Sequence, residues 1–261
     1  MRAILFRIIG LGIASTMLAG SNCSSSNDGS GSGSGVTNAA ATGVWSGNDS
    51  VTGLGITALI NSAGQATFIR SDGVQFVGPV QVSGSTLAVQ VDGYSNFNST
   101  FSDGSTYGIG TLDGTVTTGG TLTATLTFTT TGNTSLAGNW TLNYQALSNN
   151  ASSTTAISGN YADNVTSATV SITTTGVMNS QSSTTSCVLN GSVSTSDSTH
   201  NIYEVAYSYA NCTGSYAVLN GVQFTGLATL NAGSSPTQLT MGVTGASSSN
   251  KYAIVSDLTG S

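Results

Sequence analysis

The stretch TLTATLTFTT, residues 121–130, alternates without a break. Leu122, Ala124, Leu126 and Phe128 fall on one face, and threonines fill the other. A period of two built from β-branched and aromatic residues is the pattern of a half-buried strand. The same alternation recurs on both sides. STLAVQVD (85–92) sets Leu87, Val89 and Val91 on one face, and QFTGLATL (223–230) and QLTMGV (238–243) behave alike.

Between these runs lie short turn signals. They are Ala63-Gly64, Asp72-Gly73, Asp92-Gly93, Asp103-Gly104, Asp113-Gly114, Asn190-Gly191 and Asn220-Gly221. Asp-Gly and Asn-Gly supply the positive φ angles of tight hairpins, and some such glycines mark irregularities inside strands instead. No stretch from Gly43 onward holds a helical period, and the chain has only 2 prolines. The expected class is all-β, as two tandem small antiparallel meander β-barrels or sandwiches. The first is expected over 42–132 and the second over 133–261, divided near TTTGNTSLAG (129–138). Two echoes, DGVQFVGPVQV (72–82) with NGVQFTGLATL (220–230) and LDGTVT (112–117) with LNGSVS (189–194), share no common offset. They read as shared hairpin grammar, with at most a diverged duplication behind it.

The N-terminus has a different character. Arg2 and Arg7 flank a short start, an apolar run follows from Ile8 to Leu18, and small residues come next. That run is too short to span a bilayer as a helix and matches an export signal over 1–22. Cleavage before Asn22 would release a soluble protein, and cleavage before Cys23 would expose a cysteine for lipid. Residues 23–41, rich in Ser and Gly, lack the apolar periodicity needed to pack and read as a flexible tether. The C-terminal SDLTGS is polar, so no second anchor is expected there.

Leu18-Ala19-Gly20, followed by Ser21, Asn22 and Cys23, resembles the lipobox of bacterial lipoproteins, stretched by two residues. The resemblance implies lipidation at Cys23 and a membrane partner held through that lipid. Because Ser24 follows the cysteine rather than Asp, it also implies the outer membrane or periplasm; secretion as a soluble protein is the alternative. Gly43-Val44-Trp45 and Gly138-Asn139-Trp140 resemble the Gly-x-Trp that opens lipocalin-type, or calycin, barrels. In that family the tryptophan closes one barrel end, so each half is expected to open on its own Gly-x-Trp.

Charge excludes several function classes. With Arg2 and Arg7 gone, only Arg70 and Lys251 stand against 10 acidic residues. Such a surface cannot neutralise phosphates, so no nucleic-acid partner is expected. Of the 3 cysteines, Cys23 sits at the anchor position, which leaves Cys187 and Cys212 to pair in an oxidising compartment. SCVLNGSV and IYEVAYSYANC, read as a hairpin centred near Thr199, place these two cysteines across from one another.

Signals for catalysis are poor. The single His200 falls in a turn, no Gly-x-Ser-x-Gly elbow occurs, and no His/Cys cluster suits zinc. Glu204 shares a strand face with Ile202, Ala206 and Ser208, expected to face water, while Tyr203, Val205, Tyr207 and Tyr209 share the other face, expected to be the core. The expectation is a non-enzymatic protein with no catalytic residue, no metal and no cofactor. Tyr94, Phe97, Phe101 and Tyr107 flank the Gly/Ser/Asn loop DGYSNFNSTFSDGSTYG (92–108) and are the candidate ligand-binding residues. Such a loop could stack on a ligand or plug its own barrel. A binding role toward a small apolar ligand, glycan or protein partner is expected, with structural or surface display without a ligand as the alternative.

Overall fold

A computed structural model describes residues 37–163, 168–247 and 250–261. The expected export signal, the expected lipidation site Cys23 and the expected tether as far as residue 36 lie outside the described residues. The first eight strands are β1 (Gly43–Asp49), β2 (Gly55–Ile60), β3 (Gln65–Arg70), β4 (Gln75–Ser83), β5 (Thr86–Tyr94), β6 (Tyr107–Val116), β7 (Thr121–Thr130) and β8 (Ser135–Tyr144). They form an antiparallel meander in which β8 returns to pair with β1, closing a barrel. Closure leaves no free sheet edge.

The first barrel therefore runs to Tyr144, and the boundary expected at 132/133 falls inside the β7–β8 hairpin. Gly138-Asn139-Trp140 does not open a second domain. It lies in the closing strand, where Trp140 pairs with Asp49 of β1 and with Ala124 of β7. Local sequence carries the strand, but only the long-range β1–β8 pairing shows to which barrel the strand belongs. The interior is packed with aromatics. Trp140 lies 5.4 Å from Phe68 and 5.6 Å from Phe76 between ring centroids, and Phe128 lies 5.3 Å from Phe76.

After a 3-10 turn (Ala146–Asn149) and a one-turn helix α1 (Thr154–Ile157) comes a second closed barrel. Its strands are β9 (Gly159–Asp163), β10 (Thr169–Ile172), β11 (Val177–Gln181), β12 (Val188–Ser194), β13 (Tyr203–Ala210), β14 (Gln223–Asn231), β15 (Gln238–Ala246) and β16 (Lys251–Gly260). The β12–β13 hairpin runs from Ser194↔Glu204 to Val188↔Ala210, so it is centred on Thr199. Just beyond its open end, Cys187 and Cys212 form a disulfide. A 3-10 helix, Gly214–Leu219, follows the bridge and covers that end of the barrel. Of the turn signals, Gly64, Gly73, Gly104 and Gly221 do sit at positive φ, whereas Asp92-Gly93, Asp113-Gly114 and Asn190-Gly191 lie within strands.

The two barrels repeat one another strand for strand and in register. Gly43 faces Ile60 as Gly159 faces Ile172, and Trp45 faces Tyr144 as Tyr161 faces Gly260. The barrels also open alike. Gly43 and Gly159 have φ of 133° and 155°, conformations that suit residues without a Cβ. Trp45 Nε1 donates to the carbonyl of Ala41, and Tyr161 donates its hydroxyl to the carbonyl of Ile157, both at 2.8 Å and both four residues back. The counterpart of Gly43-Val44-Trp45 is thus Gly159-Asn160-Tyr161. The two sequence echoes fall on unmatched strands, β4 with β14 and β6 with β12.

The barrels pack wall to wall. Val44, Leu59 and Ile69 of the first form one buried cluster with Ile202 and Leu227 of the second. Gln75, fully buried, donates Nε2 to the carbonyls of Ile254 (2.9 Å) and Val243 (3.3 Å) across the joint. Gly242 lets the walls meet, since a Cβ there would stand 2.8 Å from Ile69 Cδ1. Glu204 corrects an expectation: it does lie opposite Tyr203 and Val205, but its outer face meets the first barrel, where Oε1 accepts from Asn61 Nδ2 at 3.0 Å. Ile202, on the same face, is buried for the same reason.

Candidate functional site

The four loop aromatics do not form one surface. Phe101 is buried in the first barrel, 5.5 Å from Phe128, and plugs that barrel's mouth. Tyr94 and Tyr107 pair with each other at 5.4 Å. The Tyr107 hydroxyl donates to Asp92, and Lys251 Nζ sits 3.4 Å from the centre of the Tyr107 ring. That is a self-satisfied cation–π cluster rather than an open stacking platform. Phe97 alone reaches away from its own barrel. Its N–H donates to the carbonyl of Ala253 at 2.8 Å, and its ring lies 5.3 Å from Tyr216 and 6.1 Å from Tyr252. Phe97 thus stands in the mouth of the second barrel.

Below it the second barrel holds a cavity of about 280 Å³. Val170, Leu189, Met241, Ile254 and Leu258 supply apolar wall, Ser180, Ser256, Asp163 and Asp257 supply polar wall, and Phe97 and Tyr216 rim the entrance. Tyr207 and Tyr209 line one side. The buried Tyr207 phenol is pushed well above its ordinary value by desolvation, and it is hydrogen-bonded to Tyr209. Burial raises Tyr209 too, with the nearby negative charge of Asp163 adding to the shift. Cys187, bridged to Cys212, forms part of the same wall.

The register explains why this barrel is hollow while the first is full. Ser180 faces Leu189 as Phe68 faces Phe76. Met241 faces Ser256 as Ala124 faces Trp140. Two of the three large rings at the centre of the first barrel are therefore serines in the second, and the third, Phe76, is a leucine. Two further replacements add chemistry. Asp163 faces Leu258 as Gly47 faces Leu142, and Leu189 faces Tyr209 as Phe76 faces Gly93. A carboxylate and a phenol thus enter where the first barrel has no side chain. Concave, mostly apolar sites with a few convergent polar groups are what small-molecule sites look like. These residues escape a reading of the sequence because Ser180 and Ser256 look like two more solvent-facing serines; the only signal is their inward position on strands whose counterparts carry aromatics.

Other polar groups serve the fold. His200 Nδ1 lies 2.5 Å from Asp197 Oδ2 in the β12–β13 connection. The Thr199 hydroxyl and N–H, followed by His200, hold the Asp197 carboxyl down at about 2. Asp103 is an exposed turn residue that accepts from Ser105 and Thr130, and these bonds hold its carboxyl well below the usual range. Among the described residues, no group of three or more His, Cys, Asp or Glu side chains comes together. Among them also, no helix is long and apolar enough to cross a membrane.

No protein-family model matches the chain, and no curated protein matches it either.

Proposed function

We propose that the chain is an exported cell-envelope protein, held to the membrane through lipid on Cys23, whose second barrel binds a small ligand without transforming it. The observation that carries the binding role is the cavity of about 280 Å³ lined by Ser180 and Ser256 where the first barrel holds Phe68 and Trp140. A benzene-sized molecule occupies an engineered cavity of about 150 Å³, so this space suits a ligand of roughly ten non-hydrogen atoms. The serines and Asp163 would orient its polar end, and the apolar wall would take the rest. The first barrel, filled by its own rings, would serve as the rigid neighbour that presents Phe97.

The test is calorimetric titration of the purified protein with small aromatic compounds, alongside a Ser256→Trp variant. Saturable binding to the parent that the variant lacks supports the role. Absence of binding across neutral, cationic and anionic compounds points instead to a structural or display protein. An intact mass of the protein from a membrane fraction, with and without reductant, tests the anchor. A chain beginning at a lipid-modified Cys23 supports it, and an unmodified chain beginning at Asn22 places the protein among soluble secreted ones.

A further inference from the structure

We infer that the ligand of the second barrel is a protonated amine, an inference that rests on the binding role proposed above. Among the described residues, the cavity wall contains two carboxylates, Asp163 and the exposed Asp257, which accepts from Thr240, and no lysine, arginine or histidine. The two basic residues that follow the signal are both engaged elsewhere. Arg70 is bound to Asp72 at 2.7 Å, and Lys251 lies over the Tyr107 ring. An anion entering this space would lose its hydration and meet negative charge, hydroxyls and the rim amides of Asn96 and Asn98 but no cation, which is a steep cost. A cation meets the opposite conditions. Asp163 offers an opposite charge, and Ser180 and Ser256 offer oxygens that can accept from an ammonium group.

The aromatic rings point the same way. Phe97, Tyr207, Tyr209 and Tyr216 all border the cavity. Ring faces attract cations most strongly where water is excluded, and several rings around one space are the usual means of holding an ammonium group. The first barrel acts as an internal control. In the same positions it has Gly47 and Gly93 rather than Asp163 and Tyr209, and its interior is filled. The carboxylate and the added phenol thus accompany the space and are absent where the space is absent.

The experiment compares three compounds of one size that differ in charge: 2-phenylethylamine, 2-phenylethanol and phenylacetate. Each is titrated calorimetrically at neutral pH into the purified protein, into Asp163→Asn and into Tyr216→Leu. The expected result is that the amine binds at least tenfold more tightly than the alcohol and that phenylacetate does not bind. Asp163→Asn should bring the amine down to the level of the alcohol, and Tyr216→Leu should weaken the amine more than the alcohol. If the alcohol binds the parent as tightly as the amine, the cavity is a ligand site but the amine assignment is overturned. An amine advantage that survives Asp163→Asn overturns it as well. Failure of all three to bind the parent would remove the binding role itself. The parent comparison stands even where a variant fails to fold.

Discussion

Ser256 occupies in the second barrel the register position that Trp140 occupies in the first: each pairs with the middle of the preceding strand, Met241 in one case and Ala124 in the other. Around Trp140 the rings of Phe68 and Phe76 close the interior. Around Ser256 the corresponding residues are Ser180 and Leu189, and the interior stays open. Three register positions thus divide a packed barrel from a receptive one.

Ser256→Trp should convert the second barrel toward the first. The indole has space, because the cavity measures about 280 Å³. Filling a cavity of this kind commonly adds about 0.5–2 kcal/mol of stability. The expected outcome is an unchanged far-ultraviolet spectrum, a higher thermal midpoint and loss of ligand binding. Calorimetry and thermal denaturation read all three.

Trp140→Ala tests the converse. Trp140 is 2 % exposed and touches two phenylalanine rings. Truncating such a residue costs about 3–5 kcal/mol, the transfer loss plus the void left behind. Chemical denaturation should show the first barrel unfolding at lower denaturant, while ligand binding by the second barrel persists.

The sequence made the strands legible and the closures obscure. TLTATLTFTT is β7 to the residue, because a strand with one wet face writes its period directly. The hairpin register that joins Cys187 to Cys212 was also legible, since two neighbouring alternating strands fix its centre. Pairing of β1 with β8 spans the whole barrel and leaves no local mark, so Gly138-Asn139-Trp140 resembled a beginning when it is an end. The true second opening, Gly159-Asn160-Tyr161, carries tyrosine in place of tryptophan and was hidden by that change. Of the loop aromatics, only Phe97 reaches the site, because a loop's composition does not say which barrel its rings will enter. The hollow was least legible, since it consists of what Ser180 and Ser256 fail to fill.

The disulfide should matter for stability and for the shape of the cavity wall. Cys187 and Cys212 are 25 residues apart in sequence. Closing a loop of that length stabilises by about 3 kcal/mol in the chain-entropy treatment. A Cys187→Ser/Cys212→Ser variant should unfold at correspondingly lower denaturant, and a reductant should shift the parent protein toward the same midpoint.

Alkaline pH should expose the tyrosine network. Burial, the hydrogen bond to Asp92 and the Asp92 charge push the Tyr107 phenol up to about 12, and burial raises the Tyr207 phenol well above its ordinary value. A phenol whose folded value is raised contributes stability that is fully present below about pH 10 and is lost as pH rises through the folded value. Absorbance at the phenolate band should therefore show a step near pH 12 that Tyr107→Phe removes.

The most direct test of the hollow second barrel is a methyl spectrum of the purified protein during titration with 2-phenylethylamine. Saturable shifts confined to the methyl groups of Val170, Leu189, Met241, Ile254 and Leu258, and absent in Ser256→Trp, are the expected result. Shifts centred on first-barrel methyls such as Leu112 and Leu142, or no shifts at all, would contradict a receptive second barrel beside a filled first one.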